Sequence, residues 1–340
     1  MLNVAILGFG VIGRVHMQSC LTCDDIQIVA ICDVDKEKLG NALVLPGNIE
    51  MKTDKNFNIS DVALYSDFDE MLAQTEIDAL IITLPTYLHK EFAIKAIHAG
   101  LHVLCEKPMA LNLQDCDEMI VAAKNSGKVL QIGHCIRFWP EYDKAREIID
   151  SGKYGKVKAA SFRRLSALPK WAWENWLMDA PKSGGMALDL HIHDSDFIQH
   201  LFGMPTSVRS FGAKGTTGDY DHILTNYIYE DDKVITAEGS WMMTDSFSFE
   251  MSFVVILEKA SITFSLKDES VLRIYPSNGD AFTPEVDKGN GYTSEIAHFI
   301  MRVRGEKVPE MITLQQSRNS VRLVDAEKKS AQGGQEVKLK

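Results

Sequence analysis

Between Asp189 and Asp194 the chain places two histidines and two carboxylates within six residues, a few positions after the pair Gly184-Gly185. Such a set could bind a divalent metal, move protons, or decorate a helix without chemistry. Helical geometry separates these readings. At about 100° per residue, Asp189 and His193 fall roughly 40° apart on one face, while His191 points roughly 200° from Asp189. Histidines on opposite faces cannot share one ion. On a strand His191 and His193 would share a face, but the apolar stripe Phe197, Ile198, Leu201 and Phe202, stopped by Gly203 and Pro205, favours a helix. The prediction is no metal, with Asp189 and His193 as a proton-handling pair. An imidazole accepts a hydroxyl proton near neutral pH, and a neighbouring aspartate can orient it or bind a second hydroxyl. Asp196 is assigned to helix packing.

A proton acceptor of this kind suits alcohol oxidation, which also requires a hydride acceptor. Gly8-Phe9-Gly10-Val11-Ile12-Gly13 is a GxGxxG run between a strand-like and a helix-like segment. Its glycines permit a tight turn, close approach of backbone to a pyrophosphate, and close helix–strand packing, with a helix N-terminus facing the anion. The apolar run Val29–Cys32 ends in Asp33, at the distance where such a fold places the carboxylate for the adenosine ribose. That carboxylate would repel a 2′-phosphate, so NAD is expected rather than NADP, although Lys36 nearby softens the discrimination.

Two further groups sit at strand ends. Thr83-Leu84-Pro85-Thr86-Tyr87-Leu88-His89 follows one apolar run and Cys105-Glu106-Lys107-Pro108 follows the next. Open α/β sheets bind ligands at the carboxyl ends of their strands. Lys107, between a strand end and a proline, can stabilise charge on the oxygen that changes oxidation state. Either Lys107 or His193 can take the proton directly.

Around the histidine cluster, Arg163-Arg164 and Trp171, Trp173 and Trp176 offer contacts suited to a sugar: tryptophan stacks on ring faces, and arginine binds hydroxyls, carboxylate or phosphate. Packing of the domain or of an oligomer interface would use the same residues. The candidate substrate contacts are Arg137, Arg164, Trp173, Asp189 and His193.

The elements that must hold these groups fall into two halves. Strand-like runs at Asn3–Leu7, Gln27–Cys32, Ala79–Thr83, His102–Cys105 and Val129–Gly133 alternate with helix-like segments at Ile12–Thr22, Lys36–Leu43, Phe68–Gln74, Leu88–Ala99 and Leu113–Asn125. That alternation predicts a doubly wound parallel α/β domain over residues 1–135. Residues 45–61 are irregular. From 136 to 340 longer, partly alternating strands predict an α+β domain with a large open, mainly antiparallel sheet. Helices over Gly185–Leu201, Ser294–Gly305 and Thr313–Lys328 would cover one face, the last helix could pack back on the first domain, and the tail from Ser330 is expected to be loose.

Composition narrows the partners. A formal charge of −11 argues against nucleic acid and anionic membrane surfaces. No apolar run approaches the roughly 20 residues of a membrane span, and Met1–Ile12 reads as a buried strand without the features of a signal peptide. The six cysteines lie in the first half, and the lone Cys20-Leu21-Thr22-Cys23 lacks a second ligand pair, so free thiols and a cytoplasmic setting are expected.

Taken together, Gly8-x-Gly10-x-x-Gly13, Pro85…His89, Glu106-Lys107-Pro108, Arg137-Phe138 and Gly184-Gly185…Asp189-x-x-x-His193 resemble the Gfo/Idh/MocA family, the glucose–fructose oxidoreductase and inositol dehydrogenase group, in order and spacing. The resemblance implies a Rossmann domain followed by an α/β domain whose open sheet assembles dimers or tetramers. It implies NAD(P)-dependent oxidation of a secondary hydroxyl on a sugar, polyol or cyclitol. It makes Lys107 and His193 the catalytic pair and Asp189 their companion, sets Glu106 beside the nicotinamide, and assigns cofactor contacts to Gly8, Phe9, Gly10, Val11, Ile12, Gly13, Asp33, Thr83, Pro85, His89, Glu106 and Lys107. His191 departs from it, because the family often has glycine there. Three alternatives remain on the residues: an oxidoreductase for a dihydrodiol or imine, a non-catalytic NAD(P)-binding regulator, and a metal-dependent hydrolase.

Overall fold

The computed structural model describes residues 1–40 and 61–339. The chain forms two compact units, one of residues 1–135 and 290–318, the other of residues 136–289 and 319–340. Residues 290–318 therefore belong with the first unit, whereas the sequence assigned them to the second.

In the first unit, β1 (Leu2–Leu7), α1 (Val11–Cys20), β2 (Ile26–Cys32), α2 (Lys36–Gly40), β3 (Ala63–Tyr65), α3 (Phe68–Gln74), β4 (Ala79–Ile82), α4 (His89–His98), β5 (His102–Glu106), α5 (Leu113–Ser126) and β6 (Leu130–Gly133) alternate along the chain. The strands form a parallel sheet in the order β3-β2-β1-β4-β5-β6. Its reversal beside β1 is the doubly wound arrangement in which ligands bind at strand carboxyl ends. β4 and β6 are buried throughout, which is why they read as continuous apolar runs rather than alternating ones. The short β3, with two exposed residues out of three, carries too little apolar signal to be seen in sequence. The sequence extends α2 to Leu43, and positions 41–43, like the irregular stretch up to residue 60, lie outside the described residues.

Helix α9 (Gly291–Val303) completes this unit, packing against α1. Asn290 caps it in a capping box with Thr293, and Ile296, Phe299 and Ile300, spaced i, i+3, i+4, join a buried cluster with Val4, Ile6, Met17 and Ile28. Burial of side chains of this size stabilises by about 1.5–3 kcal/mol each, which explains why a segment so distant in sequence returns to the first core. The last helix, α10 (Leu314–Gly333), also begins in this unit, where the Arg318 guanidinium pairs with Asp117 of α5.

The second unit holds α6 (Pro140–Asp150), β7 (Val157–Ala167), α7 (Ala180–Ser183), a π-helical turn at Ala187–His191, α8 (Ile192–Phe202) and strands β8 (Ser207–Lys214), β9 (Tyr220–Ile228), β10 (Val234–Met243), β11 (Glu250–Leu257), β12 (Ala260–Ser265) and β13 (Leu272–Pro276). Helix α10 (Leu314–Gly333) and β14 (Val337–Lys338) close the chain. The sheet runs β13-β12-β11-β7-β10-β9-β8-β14 and is antiparallel at every described pair except β7 with β10. Within the tail, β14 adds to the sheet edge beside β8, so Val337 and Lys338 are held where the sequence expected a loose end. Tyr142, Phe162, Phe197, Phe253 and Phe264 form an edge-to-face and stacked aromatic core between helices and sheet.

Candidate active site

The candidate residues fall into two groups, one in each unit. In the first unit they gather at the carboxyl ends of β1, β2, β4 and β5. Gly8 has a φ of +92°, and a Cβ there would meet the Thr83 carbonyl at 2.8 Å. A Cβ on Gly13 would lie 2.2 Å from the Gly8 oxygen, so α1 can approach the turn only as glycine. At Gly10 nothing lies within 4 Å of the Cβ position. The turn thus has one open side, at the residue that precedes α1 and gives that helix no side-chain cap. Gly10, Val11 and Ile12 form its half-buried rim. An uncapped helix start beside an unobstructed glycine suits a pyrophosphate, so these residues fit a dinucleotide.

Two neighbours hold the turn. Thr83 donates its hydroxyl to the Gly8 carbonyl at 2.7 Å. The buried Asp33 accepts from the Phe9 N–H at 2.6 Å and from the Asp35 N–H at 2.9 Å. A carboxylate has about four lone-pair positions, so capacity remains for ribose hydroxyls. The cation beside Asp33 is Lys38, at 3.7 Å, where the sequence had suggested Lys36. Phe9 is wholly buried, with the Arg14 guanidinium 4.4 Å over its ring, so only its backbone faces the turn.

His89 is 1% exposed, and its Nδ1 and Nε2 lie 2.8 Å from the carbonyls of Pro108 and Leu84. Burial pushes its pKa down against the pull of those carbonyls. It ties the turn holding Pro85 to the turn after β5, so its part in a cofactor site runs through the backbone it fastens. Lys107 is half-buried in that second turn, and its N–H donates to Glu106 Oε2 at 3.1 Å.

Glu106 is hydrogen-bonded to His16 at 2.6 Å, and the two gather with Glu295 of α9 so that their donor atoms lie within 4.8 Å. Burial raises the Glu106 carboxyl, but the His16 hydrogen bond and neighbouring cations outweigh it and hold it below the usual range. Burial, and then the Glu106 charge, push the Glu295 carboxyl well above its usual range. Two donors on one small cation stand about 3.3 Å apart in tetrahedral geometry. The direct His16–Glu106 contact is closer than that, and this cluster is a hydrogen-bonded one. His16 is not among the candidate residues read from the sequence; its place one turn after Gly13 on α1 is the signal that could have found it.

In the second unit Asp189 and His193 are both half-buried, while His191 between them is fully buried. The expected division of faces holds, although the backbone over Ala187–His191 is π-helical rather than α-helical. Such turns concentrate at functional sites. His191 Nε2 lies 3.0 Å from Glu327 Oε2 and 3.4 Å from the Tyr227 hydroxyl.

Two expected substrate contacts are corrected. Arg137, 0% exposed, makes a bidentate pair with Asp196 at 2.8 and 2.8 Å. Arg164, 3% exposed, does the same with Asp194 at 3.0 and 2.9 Å. Guanidiniums committed in this way hold α8 in place, and their removal from the substrate list takes with it the argument for a phosphorylated or acidic sugar. Trp173 is half-buried, Trp171 is exposed, and Trp176 packs on a buried cluster with Leu177, Met186 and Trp241. Cys20 is buried and Cys23 half-buried, and neither is in a disulfide.

The parallel sheet with its glycine turn makes the first unit a dinucleotide-binding domain. Residues 2–134 match the "Oxidoreductase family, NAD-binding Rossmann fold" of Gfo/Idh/MocA proteins, and residues 142–263 match the Gfo/Idh/MocA C-terminal domain. The chain belongs to the Gfo/Idh/MocA oxidoreductase family. It is 34% identical to the 2,7-anhydro-N-acetylneuraminate hydratase of Escherichia coli K12 over 60% of its own length and 55% of that protein's. To the D-glucoside 3-dehydrogenase of the same organism it is 28% identical over 99% of this chain and 97% of that one. The chain spans about half the length of the hydratases it matches. Among solved structures, levoglucosan dehydrogenase with NADH and levoglucosan superposes with a TM-score of 0.83 at 19% identity, covering 99% of each chain, a likeness of fold. Among the described residues no helix is long and apolar enough to cross a membrane.

Proposed function

We propose that the protein is an NAD-dependent dehydrogenase that oxidises a secondary hydroxyl of a sugar, polyol or cyclitol. The observation that carries this reading is the presence in one chain of a glycine turn fit for a dinucleotide and of half-buried Asp189 and His193 around the start of α8. Bound NAD would supply the hydride acceptor. His193 or Lys107 takes the hydroxyl proton as the carbinol C–H bond gives up its hydride, and Lys107 steadies charge on the oxygen. Asp189 orients the imidazole or holds a second hydroxyl. Trp173 is the aromatic contact offered to the ring, and Thr83, Pro85 and Glu106 belong to the cofactor side. Asp33, one carboxylate beside one lysine, supports NAD over NADP.

The test is NADH formation with myo-inositol, D-glucosides, levoglucosan, aldoses and sugar phosphates. Lys107→Ala and His193→Ala should each lower kcat by about 10²–10⁴-fold with NAD affinity kept. Absence of turnover on every alcohol, with NAD bound, would overturn the reading. Similarity to the hydratases favours a second outcome, in which a sugar gains or loses water with no net NADH formed; product analysis beside the NADH assay separates the two.

Alternate strand positions leave Phe211, Leu224, Val234, Val254 and Ile256 exposed on the large sheet. Covering such a surface in a homodimer or homotetramer is the assembly it supports, and sedimentation of the purified chain tests it. A cytoplasmic setting belongs to the same reading, supported by the free cysteines.

A further inference from the structure

His191 is absent from the proposed chemistry, yet it is among the most constrained side chains of the second unit. It, Ser195, Tyr227 and Glu327 are each 0% exposed. Glu327 of α10 faces the His191 Nε2 at 3.0 Å through one oxygen and accepts from the Ser195 hydroxyl at 3.0 Å through the other. The Tyr227 hydroxyl of β9 lies 3.0 Å from Ser195 Oγ and 3.4 Å from the imidazole. On the opposite side the ring rests on β10: a Cβ built on Gly239 would fall 2.8 Å from His191 Nδ1 and 2.9 Å from its Cβ. His191 is thus wedged between a strand backbone and a buried carboxylate. The other buried charges packed around α8 are satisfied separately, Asp194 by Arg164 and Asp196 by Arg137.

This wedge lies at the end of the π-helical turn at Ala187–His191, which holds Asp189 at its centre and runs directly into α8, whose second residue is His193. A π-turn is rare and is kept only where its surroundings favour it over a continuous α-helix. A buried carboxylate, in turn, needs its partner, since removing one member of such a pair leaves an uncompensated charge. We propose that His191 and Glu327 are a positioning pair, clamping the π-helical turn between α10 and Gly239 and so fixing where Asp189 and His193 present their polar atoms. The pair touches no reacting atom in this account and acts through those two side chains. It rests on the proposed role of Asp189 and His193.

Two variants test it by different routes. Gly239→Ala pushes the imidazole without removing any group of the pair. Glu327→Gln keeps the shape and the acceptor for Ser195 while removing the charge. Each is assayed with NAD and whichever of myo-inositol, methyl D-glucoside or levoglucosan the wild type oxidises, beside amide hydrogen exchange over residues 187–193. The expected result is a kcat lowered between about tenfold and 10²-fold, an unchanged KM for NAD, and faster exchange in that segment. Unchanged kcat and exchange in folded variants would overturn the proposal, as would a lowered melting temperature with kcat and exchange intact. If Gly239→Ala does not fold, Glu327→Gln decides by the same criteria. If the wild type oxidises none of the three alcohols, the dehydrogenase reading fails by itself, and accelerated exchange in the variants still supports the clamp while unaltered exchange still rejects it.

Discussion

The two units build their polar sites from different materials. The first uses main chain: a turn whose glycines remove side chains where backbone must close up, an uncapped helix start, and one aspartate fastening the turn through the Phe9 N–H. The second uses buried polar side chains: around α8 two arginine–aspartate ion pairs and one histidine–glutamate contact join residues 30 to 136 positions apart. Backbone cradles tolerate few substitutions but need no partner elsewhere. A lattice of buried polar pairs holds a helix firmly only while every pair is complete, because breaking a buried ion pair costs more than the pair contributes.

The largest effect that would sharpen this contrast lies in the second unit. Arg137→Ala leaves Asp196 buried without its guanidinium and should destabilise by about 3–5 kcal/mol, whereas Arg137→Met combined with Asp196→Leu should lose far less. Denaturant unfolding of both variants checks it, and equal losses would mean that the pair's charge is not what matters. In the first unit the expected losses are smaller and sort by space. Gly13→Ala must displace the Gly8 carbonyl and should cost about 1–3 kcal/mol together with NAD affinity. Gly10→Ala meets nothing, so it should keep the melting temperature while weakening NAD binding, readable by calorimetric titration. Loss of stability there, with affinity kept, would remove the main-chain cradle from the account.

The smallest effect is a pH slope. Burial, and then the Arg137 guanidinium, push His200 down to about 4 from its ordinary 6.5. Between those values the unfolded chain binds a proton that the folded one refuses, so His200 contributes stability above pH 6.5 that is lost as pH falls toward 4. His200→Gln can still accept from Arg137 and should flatten that part of the stability profile. An unchanged profile would place the acid sensitivity elsewhere.

The same difference in materials decides what could be read from sequence. Glycine spacing is a local constraint, so the turn at Gly8–Gly13 and the acid at Asp33 were legible, as were strands buried on both faces, such as Ala79–Ile82. The phase of Asp189 against His193 survived even though the turn is π-helical, because both conformations send the intervening His191 inward. Pairings across long separations left no local trace. Arg137 and Arg164 look like ligand arginines until Asp196 and Asp194 are seen against them. Glu327 was visible only as an acid within the apolar run Leu323, Val324, Ala326 of α10. Helix α9 looked like cover for the nearer sheet, since amphipathicity tells that a face is buried but not against what.

The most direct measurement is deuterium transfer in a single turnover. Wild-type protein, NAD and a polyol or sugar labelled at the carbinol carbon should yield deuterated NADH at a rate that falls by orders of magnitude in His193→Ala and Lys107→Ala while both variants still bind NAD. Label that stays on the carbinol carbon with NAD bound to the wild type, or transfers equally fast in the two variants, would contradict the account.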